Sequence, residues 1–122
     1  MIFNDNRPIY LQIADYVCDQ ILWEKWKIGE RILSVRELGS LLEVNPNTAL
    51  RALEMLQNME IIINKRGVGY FVNEDAIAKI RNFRRERFFK EELPSIFKTM
   101  QILQIEMTKI EEEYAQFLKS TQ

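Results

Sequence analysis

Leu33-Ser34-Val35-Arg36-Glu37-Leu38, followed by Val44-Asn45-Pro46-Asn47-Thr48-Ala49-Leu50-Arg51-Ala52-Leu53, holds two helix starts separated by one tight turn. The Ser34 hydroxyl can accept from the first N–H groups of a helix, while Glu37 reaches back to the Ser34 backbone. Leu38, Leu41 and Leu42 then recur at helical spacing. Glu43-Val44-Asn45 interrupts them, and Asn45 caps a second helix whose first residue, Pro46, lacks an N–H that would be unbonded there in any case. The spacing predicts a helix-turn-helix.

At about 100° per residue, Ala49, Ala52, Leu53 and Leu56 of the second helix form one apolar stripe, and Asn47, Arg51, Glu54 and Asn58 fall on the opposite side. Such a helix can be an ordinary amphipathic one with a solvated face. An outward Asn, Thr and Arg in its first turns also suits the major groove, because Asn pairs bidentately with adenine and Arg with guanine or phosphate. The segment that follows favours DNA. Ile61-Ile62-Ile63-Asn64 is β-branched and strand-like, Lys65-Arg66-Gly67-Val68-Gly69 makes a basic turn, and Tyr70-Phe71-Val72 resumes an extended pattern. This predicts a hairpin wing. Lys65 and Arg66 at its tip can lie against phosphates or in a minor groove, and Gly67 and Gly69 permit close backbone approach.

Residues 8–72 together resemble the winged helix-turn-helix domain of GntR-family bacterial transcription regulators. Pro8-Ile9-Tyr10-Leu11-Gln12-Ile13 is similar to the family's opening helix, Ile28 to Leu38 to its central signature, and Arg66-Gly67-Val68-Gly69-Tyr70-Phe71-Val72 to its wing. The resemblance implies that Arg36 contacts a base or phosphate from the first helix of the motif. It also implies that Asn45, Asn47 and Thr48 engage DNA from the recognition helix, and Arg66 with Gly67 from the wing. Arg51 joins them on geometry alone. With Ser34, Lys65 and Gly69, these form the candidate DNA-binding set. Two positions depart from the family: Leu33 stands where proline is usual, and Leu50 where some branches carry a DNA-contacting arginine. Leu50 can instead meet thymine methyls.

The whole chain narrows the possibilities. Its 122 residues support one sizeable core, and about fifty residues after the wing are too few for a typical separate ligand-binding domain. The resemblance therefore points to the short YtrA-like branch, whose compact helical tail Phe88-Phe89-Lys90-Glu91-Glu92-Leu93-Pro94, Phe97 and Met100 resemble. Net charge is −1 and pI about 5.6, so attraction to DNA must come from local patches. The single cysteine, Cys18, lies among Ile13, Val17 and Ile21 and reads as a small buried hydrophobe. An intersubunit redox bond is the other use open to it. Without histidine and with one cysteine, neither a zinc site nor a His-based relay can be built, and no phosphate loop or nucleophile elbow is present. No enzyme, metal or cofactor is expected. Met1-Ile2-Phe3-Asn4-Asp5-Asn6-Arg7 is neither signal nor transit peptide, and no apolar run approaches ~20 residues, so a cytoplasmic protein without membrane contact is expected.

From Asp75, the spacing of Ile77, Ile80, Phe83, Arg84 and Phe88 is helical to about Lys90, with a break expected near Leu93-Pro94. Phe97, Met100 and Leu103 mark a further helix, a bend follows at Gln104-Ile105, and Met107, Ile110, Tyr114, Phe117 and Leu118 mark the last. Three short helices cannot bury so many apolar side chains among themselves. Packing back on the winged helix is one outlet. A symmetric homodimer through Phe83, Phe88, Phe89, Phe97, Met100, Ile110, Tyr114 and Phe117 is the favoured one, because two-fold symmetry sets two recognition helices one helical turn apart. Arg81, Arg84, Arg85 and Arg87 are expected to pair with Glu91, Glu92 and Glu111-Glu112-Glu113 rather than with DNA.

The expected architecture is thus mainly α with a small β-hairpin: a winged helix-turn-helix domain over residues 1–73 and a helical dimerisation tail over 74–122. The expected function is a dimeric, sequence-specific transcription regulator, a repressor bound to a double-stranded palindromic operator. The resemblance suggests control of a transporter operon. A small-molecule effector, of no identity legible here, would act through differential affinity for two arrangements of the dimer. The alternative is a winged-helix protein-docking scaffold without DNA binding, against which the basic wing and the polar recognition face speak.

Overall fold

The computed structural model describes residues 6–121; Met1–Asp5, part of the stretch read above for targeting signals, lie outside them. Helix α1 spans Ile9–Leu22 behind Pro8 and turns Ile13, Ala14, Val17, Cys18 and Ile21 inward. Cys18 is a buried thiol, outside any disulfide, among these side chains. Helices α2 (Val35–Leu42) and α3 (Pro46–Asn58) follow, and α3 packs on both α1 and α2. The α3 stripe is the one that the spacing predicts: Ala49, Ala52, Leu53 and Leu56 are all buried, each large side chain contributing about 1.5–3 kcal/mol. On α2 the pattern misleads at one position. Leu38 and Leu42 are buried, whereas Leu41, at the margin of the same face, is 53% exposed.

Strands β1 (Ile62–Lys65) and β2 (Gly69–Val72) pair antiparallel, with Ile62 opposite Val72 and Lys65 opposite Gly69. A short extended segment adds to β2 from its other side. Gly29 N–H donates to Val72 O, Ile32 N–H to Tyr70 O and Val72 N–H to Glu30 O, and Arg31 bridges Phe71. Hydropathy alternation gives no sign of this segment, because so few residues cannot display a period. The hairpin is thereby fixed to the stretch that leads into α2, so that wing and helix-turn-helix share one framework.

Asn73 ties the end of β2 to the turn after α3: its Nδ2 donates to Glu60 O at 2.7 Å, and its Oδ1 accepts from Glu74 N–H at 2.8 Å. Helix α4 (Ala76–Arg87) then buries Ala76 and Ile80 in the same core as Ile61, Ile62 and Val72. Lys79 on α4 meets Glu60 at 2.7 Å and Asp75 at 3.5 Å. Two compact units divide the chain between Phe83 and Arg84, inside α4. The first turns of α4 therefore belong with the winged helix, although spacing alone suggests a tail beginning at Glu74.

In the second unit the backbone departs from the expected break at Leu93-Pro94. Phe88–Glu92 is a π-helical turn in which Leu93 N–H donates to Phe88 O, and Arg87, Glu92 and Leu93 all keep right-handed helical dihedrals. Pro94 falls in the first turn of α5 (Leu93–Leu103), where an N–H is dispensable, so the wide turn absorbs the proline without ending the helical path. The expected bend at Gln104-Ile105 is present, with Gln104 at φ 55° and Ile105 N–H donating to Met100 O at 2.9 Å. Helix α6 (Met107–Ser120) completes the unit. No residue from Arg84 to Thr121 is buried. Among the described residues no helix is long and apolar enough to cross a membrane.

Candidate nucleic-acid interface

Ser34 Oγ accepts from Glu37 N–H at 3.1 Å, and Glu37 Oε1 accepts from Ser34 N–H at 3.0 Å, the reciprocal cap expected at the start of α2. The Ser34 backbone bond, then the Ser34 side-chain bond, holds the Glu37 carboxyl below its ordinary pKa, with Arg31 adding a smaller attraction. The hydroxyl of Ser34 thus serves the helix, and Arg36, one residue into α2, is exposed.

The turn between α2 and α3 closes over Gly39. Val44 N–H donates to Gly39 O at 2.9 Å, and a Cβ on Gly39 would stand 3.1 Å from the Val44 carbonyl oxygen. Glu43 takes the left-handed conformation, φ 56° and ψ 48°. Asn45 then caps α3 by accepting from Asn47 N–H through Oδ1 at 2.8 Å, which leaves its NH₂ as the free donor. Asn47 is exposed, and Thr48 and Leu50 are half-buried.

Arg51, one turn further on and also exposed, does not extend freely. Its guanidinium carbon sits 3.8 Å from the ring centroid of Tyr10 on α1. Tyr10, Arg51, Asn47, Thr48, Pro8 and Ile9 line an open cleft of about 430 Å³. Sequence reasoning missed Tyr10, whose position in α1 suggests only core packing. The stack joins residues forty-one apart in sequence, beyond the reach of local spacing.

The wing turns through Arg66, Gly67 and Val68, closed by Val68 N–H donating to Lys65 O at 2.9 Å. Gly67 (φ +79°) and Gly69 (φ +138°) occupy backbone conformations that other residues adopt at a cost. Arg66 and Val68 are exposed at the tip, whereas Lys65 is drawn back over the Phe71 ring, its Nζ 4.2 Å from the centroid. Arg31, another residue missed from sequence, lies alongside Gly69. The candidate set therefore falls into three groups on the first unit: Ser34 and Arg36 at the start of α2, Asn45, Asn47, Thr48 and Arg51 on the first turns of α3, and Lys65, Arg66, Gly67 and Gly69 on the hairpin. Among the described residues no cluster of acidic, cysteine or histidine side chains could hold a metal.

On the tail, Phe88, Phe89, Phe97, Ile110, Tyr114 and Phe117 are exposed, and Phe83 and Met100 are half-buried. Phe88 and Phe89 pack edge to face with centroids 5.5 Å apart. Glu112 and Glu113 pair within α6 with Lys109, at 3.8 and 3.1 Å.

Residues 9–72 match the model of the bacterial regulatory proteins of the gntR family. The uncharacterised HTH-type transcriptional regulator YhcF of Bacillus subtilis (strain 168) is 33% identical over 101 residues, which cover 83% of this chain and 82% of that protein. The HTH-type transcriptional repressor YtrA of the same organism is 30% identical over 107 residues, covering 88% and 82% respectively. The crystal structure of a transcriptional regulator of the GntR family from Bacteroides thetaiotaomicron matches with a TM-score of 0.80 at 43% identity, over 94% of this chain and 100% of that one.

Proposed function

The chain belongs to the gntR family of bacterial regulatory proteins, a DNA-binding family of transcription regulators, and from that premise we propose that it is a homodimeric repressor of a palindromic operator. The observation that carries this reading is the disposition of the first unit, where Arg36, Asn45, Asn47, Arg51 and Arg66 are all exposed on α2, α3 and the wing while the apolar side of the same elements is buried. The recognition helix enters the major groove by its first turns, and the wing tip lies along the flanking backbone.

Dimerisation is supported by the tail, where Tyr114 and Phe117 are 61% and 60% exposed in the single chain and share one face of α6 with Ile110. A two-fold dimer addresses half-sites about 34–36 Å apart, so the operator repeats with inverted symmetry. The sign of regulation follows that of YtrA, itself named a repressor. Bound at a promoter, the dimer acts by occupancy, with no chemistry, in the cytoplasm, and the family resemblance points to a transporter operon as its target. An effector would act by binding two dimer arrangements unequally.

Selection of duplexes from a random pool by the purified chain, with a salt titration of the enriched sequence, tests this. An inverted repeat bound by two chains, its affinity falling as salt rises, is expected. Enrichment of no sequence at low salt would favour a protein-docking scaffold instead.

A further inference from the structure

We infer that Tyr10 is a positioning residue for DNA binding: its ring holds the Arg51 guanidinium on the flank of the recognition helix, where Arg51 clamps a backbone phosphate. This rests on reading the first unit as a DNA interface.

Three observations meet here. First, the Arg51 guanidinium carbon stands 3.8 Å from the Tyr10 centroid, face contact rather than mere proximity. A guanidinium stacked this way has its flat side covered and its N–H edge outward, the edge that forks onto phosphate oxygens. Second, the stack ties Arg51 to α1 at the edge of α3, where a guanidinium can reach the strand backbone beside the groove. Third, Asn47 and Thr48 share the same open cleft of about 430 Å³ with Tyr10 and Arg51, so polar groups already line the space that a phosphate would enter. The neighbouring residue, Leu50, is half-buried, and an aromatic ring on another helix fixes the direction of Arg51. An unstacked arginine loses several rotamers' worth of freedom on binding, and the ring removes much of that loss beforehand.

The test uses the full chain and a mixed-sequence duplex at low salt, a probe that reads phosphate contacts without requiring the operator. Tyr10→Leu keeps apolar bulk and removes the ring face. It is expected to weaken binding about two- to fivefold per recognition helix and to lower the salt slope by about one unit, as Arg51→Ala does, while Tyr10→Phe binds as wild type. Tyr10→Leu placed on Arg51→Ala is expected to add nothing. If Arg51→Ala weakens binding and Tyr10→Leu does not, or if the two losses add in full, the positioning role is overturned while the DNA interface stands. If wild type binds no duplex, or Arg51→Ala binds as wild type, the interface reading at Arg51 falls first. Should Tyr10→Leu fail to fold, wild type decides by NMR: ring-current upfield displacement of the Arg51 δ protons, retained in the DNA complex, is expected, and its absence from the complex overturns the inference.

Discussion

A Cβ on Gly69 would stand 2.9 Å from Nε of Arg31, closer than real Cβ atoms come to a heavy neighbour. Gly69 also holds φ at +138°, so backbone strain favours glycine there, while the flexible Arg31 side chain would have to shift to admit a Cβ. Gly69→Ala is expected to cost about 1–3 kcal/mol, measured by urea unfolding. The clash component is separable: on an Arg31→Ala background the same substitution is expected to cost less, because only the backbone strain remains. Equal losses on both backgrounds would show that Arg31 simply moves aside.

The Ser34–Glu37 cap makes α2 sensitive to acid. Because the folded state holds the Glu37 carboxyl below its ordinary value of 4.5, the cap contributes in full above that value and is lost as pH falls through the lowered one. Glu37→Gln keeps an acceptor for Ser34 N–H but no charge. Between about pH 6 and about pH 3 the wild type is therefore expected to lose more stability than Glu37→Gln. Parallel curves would remove the carboxylate from the account.

Arg36 and Arg66 stand exposed on separate elements, so truncating either leaves the core intact. Arg36→Ala and Arg66→Ala are each expected to weaken operator binding by about 1–3 kcal/mol at matched salt with unchanged melting. A base contact would show as relaxed preference at one position, a phosphate contact as a salt slope lowered by about one unit. Unchanged affinity in both variants would sink the assignment of this face.

For the tail, Tyr114→Asp and Phe117→Asp place a carboxylate where the single chain is open to water, so the folded chain tolerates both. In a dimer interface each would be buried without a partner, and dimerisation is expected to weaken by at least about 2 kcal/mol in sedimentation equilibrium. A wild-type monomer at high concentration would remove the tail from the assembly.

The local elements were legible because their determinants are local. Ser34, Glu37, Asn45 and Pro46 act within one turn, and the stripe Ala49, Ala52, Leu53, Leu56 follows the helical period. What escaped needs partners distant in sequence or a backbone choice that side-chain type does not encode. Tyr10 against Arg51, Arg31 across Gly69 and the 29–32 segment beside β2 are all tertiary. The π-helical turn at Phe88–Glu92 answers a proline that can as readily end a helix, and Leu41 shows that a leucine at helical spacing is not thereby buried.

The cap on α3 also divides the labour of one side chain. With one lone pair of Asn45 Oδ1 given to the Asn47 N–H, the amide keeps its NH₂ for an outside acceptor. Were it to face a base edge in the proposed complex, that donor would suit a purine N7, guanine O6 or thymine O4 alike, so Asn45 would fix the start of the helix more firmly than it would fix the base beside it.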